Sequence, residues 1–184
     1  MDTSAVDLTT EVVRTGRLTL RPYTEADVDV LHRACQDPDV QRWIASIPVP
    51  YTVDDARRFA LEVAPAARRA GTGMMVAVEV AGQLVGSSGV DHLDGHPLGP
   101  EIGYWTAPWA QGHGYATEAA HALAEWALGL GAPRVHLVAD VDNVASQAVA
   151  VRAGFVREGV LRRYLVERDG SRRDAVVFSR LPGD

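Results

Sequence analysis

The feature that most constrains this chain is the run from Glu101 to Gly131, where a short alternating segment passes through a glycine loop into one long helical stretch. Ala116, Ala119, Ala120, Leu123, Trp126, Ala127 and Leu130 recur at helical spacing and form one apolar stripe. Gly131 closes that helix and Pro133 prevents its continuation. A stripe of this length must be covered, and the chain supplies strands to cover it. Met74 to Val80 and Gln83 to Val90 read as two strands joined in a tight hairpin at Ala81-Gly82, and Glu101 to Thr106 reads as a third.

The remaining segments extend this pattern. Arg17 to Tyr23 alternates as a strand that stops near Pro22. Thr24, three residues before Asp27, begins a helix carrying Val28, Leu31 and Cys35 on a buried stripe. Short helices are expected over Asp39 to Ile44 and Val53 to Arg69, with Pro48-Val49-Pro50 as an irregular connection. Val135 to Ala139 is a strand and Asn143 to Ala153 a second amphipathic helix, ended by Gly154. Phe155 to Val166 and Asp174 to Leu181 form a last hairpin across Arg168-Asp169-Gly170. The order describes an α/β (α+β) architecture, a mixed sheet with helices packed on it. With 184 residues and no repeat or linker, one domain is expected.

Composition narrows the chemistry. The formal net charge of −6 argues against non-specific nucleic-acid binding. All 18 basic residues are arginine, so neither lysine Schiff-base chemistry nor a Walker A lysine is available. The one cysteine, Cys35, has no internal partner and reads as a small core residue. No apolar run is long enough for a membrane span, and Met1 to Thr10 lacks the layout of a signal peptide, so a cytoplasmic location is expected.

The segment Trp109-Ala-Gln-Gly-His-Gly-Tyr-Ala-Thr-Glu118 carries the chemistry. A strand, a loop with two glycines and a helix start place free backbone N–H groups and a positive helix end around one point, which makes an anion site. Gly112 and Gly114 let the backbone curl toward a ligand, and Ala116 and Thr117 keep the approach open. By itself a glycine pair before a helix also fits an ordinary turn. The spacing excludes a Walker A loop and a Gly-x-Gly-x-x-Gly fingerprint.

The spacing Gln111-x-x-Gly114-x-Ala116 resembles the CoA-binding signature of the GNAT superfamily of N-acetyltransferases. Asn143-x-x-Ser146 and Arg152-Ala-Gly-Phe155 look like that superfamily's second CoA-side motif. Leu18-Thr-Leu-Arg-Pro with Asp27, and Asp37-Pro with Val40, resemble the opening of the branch containing the ribosomal-protein-alanine N-acetyltransferases. The match runs from about residue 17 to 181. It implies a mixed, mostly antiparallel twisted sheet, helices on both faces, and a V-shaped splay between the fourth and fifth strands, those ending near Thr106 and beginning at Val135. It also implies acetyl-CoA as co-substrate, with the pantetheine arm bonded to the backbone of Trp105, Thr106 and Ala107. The pyrophosphate would lie on the amides of Gly112, His113, Gly114, Tyr115, Ala116 and Thr117, after Gln111. Asn143 resembles the asparagine that bonds the pantetheine arm, although a simple helix cap is the alternative. Trp43, Ile44 and Tyr51 would line the acceptor site.

Two residues are candidates for catalysis. Ser146, one turn into its helix, could donate to the departing thiolate, or it could bond back to the helix. Glu101 could take a proton from the substrate ammonium, directly or through water, or it could be a solvated carboxylate. Gly86-Ser-Ser-Gly89 lacks the spacing of a hydrolase nucleophile elbow. His113 is expected to point outward, and His121 and His136 to lie at surface or packing positions. Asp91-His-Leu-Asp-Gly-His96 reads as a turn, and no metal is expected there. The arginines from Arg162 to Arg173 read as a surface neutralised by interleaved acids.

The expected reaction is direct transfer of acetyl to a primary amine by a monomer or homodimer, without nucleic-acid or membrane partners. With Glu101 as the one evident carboxylate and none clearly paired with it, an α-amine acceptor is favoured. At pH 7 about a tenth of an α-amine is neutral, against under a thousandth of a lysine side chain. A small-molecule amine is the alternative acceptor, and a non-catalytic acyl-CoA-binding module the alternative class.

Overall fold

A computed structural model describes residues 1–184. Its sheet has eight strands in the order β1-β2-β3-β4-β5-β6-β8-β7. The ranges are β1 Val13–Arg14, β2 Thr19–Arg21, β3 Gly73–Val80, β4 Gln83–Asp91, β5 Glu101–Thr106, β6 Val135–Asp140, β7 Val156–Val166 and β8 Arg172–Arg180. Every neighbouring pair is antiparallel except β5 and β6, which run parallel and meet only at Glu101 and His136. Beyond that contact the two strands diverge. The splay expected from the sequence is present, between the fifth and sixth strands, because β1 adds a short leading strand.

Six α-helices accompany the sheet: α1 Val28–Ala34, α2 Pro38–Trp43, α3 Val53–Arg58, α4 Ala64–Ala70, α5 Tyr115–Gly129 and α6 Val144–Arg152. The expected helix over Val53 to Arg69 is interrupted by a π-turn, Phe59–Val63. Pro65 follows at the start of α4 and has no N–H for the regular ladder, so the helix is rewound just before it. The opening strand is shorter than the alternation suggests. Thr15 Oγ1 accepts from the Leu18 amide and holds a turn there, leaving only Thr19–Arg21 in the ladder.

Helices cover both faces and create two cores. The larger joins the α5 residues Ala119, Ala120, Leu123, Ala124 and Ala127 to Ile102, Val135, Leu137, Ala139 and Phe178. The smaller packs Val28, Leu31, Cys35, Val40, Tyr51 and Ala56 against Ala77 and Leu84. Alternation along β5 and β6 thus assigns Ile102 and Leu137 to the α5 side, and Glu101, Trp105 and His136 to the opposite side. Burial pushes the Cys35 thiol up to about 11, which keeps it protonated.

The capping box at Thr24 is present as expected. Asp27 accepts from the Thr24 amide and from both terminal nitrogens of Arg21, at 2.7 to 2.9 Å. Burial alone would raise its proton affinity. Arg21 and Thr24 reverse that and hold the carboxyl below the ordinary range. The first sixteen residues also join the core. Leu8 is buried, and the buried Arg68 guanidinium donates to the carbonyls of Leu8, Glu11 and Met75.

Candidate active site

The glycine loop opens at the end of β5 and is held in shape by two left-handed residues. Gly112 and Gly114 both have φ of +78°, a region closed to most side chains. None of the amide N–H groups from Gly112 to Thr117 has a partner within the protein. They stand at the N-terminus of the fifteen-residue α5, where the helix dipole adds to their attraction for an anion. His113 turns outward as expected: its ring stacks on Tyr115, and its Nδ1 lies 2.8 Å from the Gln111 carbonyl.

Arg17, which the sequence pattern places only in a strand, braces this loop. Its guanidinium donates to the His113 carbonyl at 3.0 Å and to Glu118 at 2.6 Å, and lies over the Tyr115 ring. A cation is thereby fixed beside the anion site. Burial alone would raise the Glu118 carboxyl, but Thr15 and Arg17 hold it below the ordinary range.

From the loop a cleft of ≈1390 Å³ runs along the splay to the α2 side of the sheet. That exceeds the usual size of a small-molecule site. Gln111, Gly112, Gly114, Tyr115, Ala116, Thr117, Trp105, Thr106, Asn143, Ser146, Glu101, Trp43, Ile44 and Tyr51 all line it. The sequence-based candidates therefore converge on one cavity, with two corrections. Ala107 is fully buried; its amide donates to Val85 and its carbonyl accepts from Ala110, so its backbone is not offered to a ligand. His113 lies outside the cleft and offers a ligand only its backbone amide, in keeping with its expected outward side chain. The Pro100 carbonyl accepts from His136 across the gap, whereas the Ala107 amide turns to β4. By alternation, the peptide groups of Tyr104 and Thr106 face the gap and those of Trp105 face β4, so the expected pantetheine contact with the Trp105 backbone is the second correction.

On the α5 side the sequence reading missed a partner for Ser146. Tyr104 Oη lies 2.8 Å from Ser146 Oγ and donates to the Ser146 carbonyl at 3.1 Å. Burial raises the phenol to about 12, so it remains a donor. Strand alternation carries the signal, since Tyr104 must face opposite to Glu101 and Trp105. Ser146 thus bonds across the gap and not back along its helix. Asn143 caps α6, its Oδ1 accepting from the Ser146 amide at 3.0 Å, while its amide nitrogen stays free. The cap leaves a ligand contact open.

On the α2 side Glu101 stands among ionisable groups. Asp91 lies directly across the β4–β5 ladder, on the same face. Burial and the Glu101 charge raise the Asp91 carboxyl above its usual range. This corrects the expectation that no second carboxylate is paired with Glu101. Of the two positions expected for His136, surface or packing, it takes the packing one: it is fully buried, with Nε2 3.4 Å from Glu101 Oε2. His92 approaches the same oxygen from the exposed side, at 3.8 Å.

The arginine cluster is not a self-neutralised surface throughout. Arg168, at the β7–β8 turn, donates to the carbonyls of Gln41, Ile44 and Ile47 at 2.5 to 2.9 Å. It ties the segment bearing Trp43 and Ile44 to the far end of the chain. Arg173 pairs with Asp140 and Asp142, and its cation faces the Trp43 ring. Nothing in the sequence between Gln41 and Ile47 announces those contacts.

Comparison with known proteins agrees with this geometry. The model of the acetyltransferase (GNAT) domain matches residues 17–156. The chain is 28% identical to the uncharacterized N-acetyltransferase p20 of Bacillus licheniformis, over 93% of this chain and 96% of that protein. Among solved structures it is similar to Mycobacterium smegmatis RimJ in complex with CoA-disulfide, with a TM-score of 0.80 and 25% identity, covering 94% of this chain and 87% of that one. It also shares its fold with a Salmonella typhimurium acetyltransferase that modifies the N-terminal serine of ribosomal protein L7/L12. There the TM-score is 0.78 and the identity 24%, over 93% and 99% of the two chains. No helix is long and apolar enough to cross a membrane.

Proposed function

The chain belongs to the acetyltransferase (GNAT) domain family, and from that premise we propose that it transfers acetyl from acetyl-CoA directly to a primary amine, with a peptide N-terminal α-amine as the preferred acceptor. The observation that carries the reading is the run of unpartnered amides from Gly112 to Thr117 at one end of a cleft whose other end holds Glu101. A pyrophosphate would sit on those amides, with the Arg17 cation beside it. The pantetheine arm would run along the β5 edge, where Tyr104 and Thr106 present their peptide groups, and past the free amide nitrogen of Asn143. Its thioester would then lie in the splay between the Tyr104–Ser146 hydroxyl pair and Glu101.

Each group has one task. Glu101 takes a proton from the substrate ammonium, and the freed amine attacks the thioester carbonyl. Peptide N–H groups at the β5 edge stabilise the oxyanion. One hydroxyl of the Tyr104–Ser146 pair turns its hydrogen to the departing thiolate while the other donates to it. Trp43, Ile44 and Tyr51 border the space left for the acceptor; Asp39 and Asp91 add negative charge to that end, while Asp55 is paired with Arg58. Such a lining suits a cationic ammonium.

The preference for an α-amine now rests on the relatives. RimJ and the L7/L12 serine acetyltransferase are among the similar folds, while the Asp91–Glu101 pair removes the argument from weak base chemistry. A competition tests it directly. Acetyl-CoA is supplied with a peptide bearing a free N-terminus and with its N-blocked, lysine-bearing counterpart. Preferential acetylation of the free N-terminus is expected, and preference for the blocked peptide overturns the acceptor assignment. Absence of thiol release with any amine would leave a CoA-binding module only.

A further inference from the structure

The one parallel contact of the sheet sets Glu101 of β5 beside His136 of β6. The His136 ring is fully enclosed, and its two nitrogens have unequal surroundings. Nδ1 lies 3.1 Å from the Pro100 carbonyl, which can only accept, so Nδ1 carries a proton. In the neutral ring Nε2 is then a lone pair. It faces Glu101 Oε2 at 3.4 Å and has no aligned hydrogen bond to any group. Two acceptors facing one another repel, and a proton taken up between them relieves that repulsion. A histidine serving packing alone would have no reason to aim its bare nitrogen at a cleft carboxylate.

We propose that Glu101 and His136 form one proton-accepting unit, in which Glu101 takes the acceptor's proton and His136, a positioning residue, shares it through Nε2. The proposal rests on amine acetylation in this cleft. An N–H bond of the ammonium breaks, and its proton bonds to Glu101 Oε2 and is held toward Nε2. The neutral amine then attacks, and the second proton lost from its nitrogen goes to the CoA thiolate. The proton on the unit leaves through His92, whose Nε2 stands 3.8 Å from the same Oε2 and whose side chain is 46% exposed.

Every neighbouring element contributes a group to this corner. Asp91 on β4 faces Glu101 across the ladder. The His96 ring stacks between those of His92 and His136, at 4.7 and 5.3 Å. From β7, Tyr164 feels the Glu101 charge and Glu158 that of His136. Glu158 is itself bonded to Ser179 of β8 and to Arg134. The two extra carboxylates favour uptake of a proton by the unit, and Arg134 offsets one of them.

His136→Asn tests the proposal, because its amide can still donate to Pro100 while Nε2 is lost. We expect kcat to fall by roughly tenfold or more with the acetyl-CoA KM held within about twofold. A packing role would lower thermal stability and leave kcat within about twofold in the folded variant. An undiminished kcat overturns the proposal while the acetyltransferase reading stands; no thiol release from the unaltered protein with any amine removes both. If His136→Asn does not fold, nitrogen-15 NMR of the unaltered protein and of Glu101→Gln decides. An Nδ1-protonated ring whose Nε2 resonance moves in Glu101→Gln supports the unit, and an unmoved resonance overturns it.

Discussion

The two ends of the cleft are built from different materials. At the α5 end the recognising groups are main-chain amides, fixed by Gly112, Gly114 and the helix start within a few consecutive residues. At the α2 end they are side chains brought together from distant parts of the chain: Trp43 and Tyr51, Asp91, Glu101, His136 and, behind them, Arg168. Amides in one loop recognise any ligand with the same phosphate geometry. A set of remote side chains can change without disturbing the sheet. On the proposed function, the contrast separates the part of the site suited to a common co-substrate from the part that would select the acceptor, and each end can be broken separately.

The largest effect is expected at the α5 end. Gly114→Val forces a β-branched residue into a φ of +78° and places its methyl groups where the phosphate would sit. CoA binding, followed by calorimetry, should become undetectable while the thermal unfolding of the sheet persists. Retained CoA affinity in a folded Gly114→Val protein would contradict the main-chain account. Glu101→Gln addresses the other end and should leave CoA affinity intact. Loss of a general base predicts a fall in kcat of roughly 10²- to 10⁴-fold, most visible at low pH where the amine is protonated. Equal loss of CoA binding would mean that the two ends are not separable.

The same contrast explains what could be read before the structure. The succession of strands and helices, the α5 stripe, the Ala81-Gly82 turn and the anion loop are each encoded in contiguous residues, where periodicity and glycine spacing are direct signals. Tyr104 was within reach, since strand alternation points it away from Glu101. His136 was legible as a residue facing opposite to Leu137, but its depth depends on β8 and the β4–β5 connection closing over it. The Asp91–Glu101 pair requires the β4–β5 register, and Arg168 reaches carbonyls more than a hundred residues away. Those relations exist only after folding, and no local pattern reports them.

Between the two ends lies the hydroxyl pair. Tyr104→Phe and Ser146→Ala should each lower kcat by roughly 10- to 10³-fold if the pair donates to the leaving thiolate. Because the hydroxyls are 2.8 Å apart, the two losses should not add, and the double variant should fall short of their product. Full additivity, measured in a double-mutant cycle, would separate the pair and leave one of them as packing. Acetyl-CoA affinity should change little in either variant.

The smallest effect, and the most selective, is expected from Arg168→Ala. The guanidinium spans the carbonyls of Gln41, Ile44 and Ile47, so its loss frees the segment carrying Trp43 and Ile44 without touching β5 or the anion loop. Water replaces the lost donors at an exposed site, so the cost should fall below the usual range for charged hydrogen bonds, at about 1 kcal/mol. That corresponds to roughly a fivefold rise in the acceptor KM, with the acetyl-CoA KM unchanged. Arg168→Lys should recover only part of it, since one ammonium cannot reproduce a planar fork shared among three carbonyls. If Arg168→Ala raises the acetyl-CoA KM equally, the α2 segment is coupled to the co-substrate end, and selection of the acceptor cannot be assigned to that segment alone.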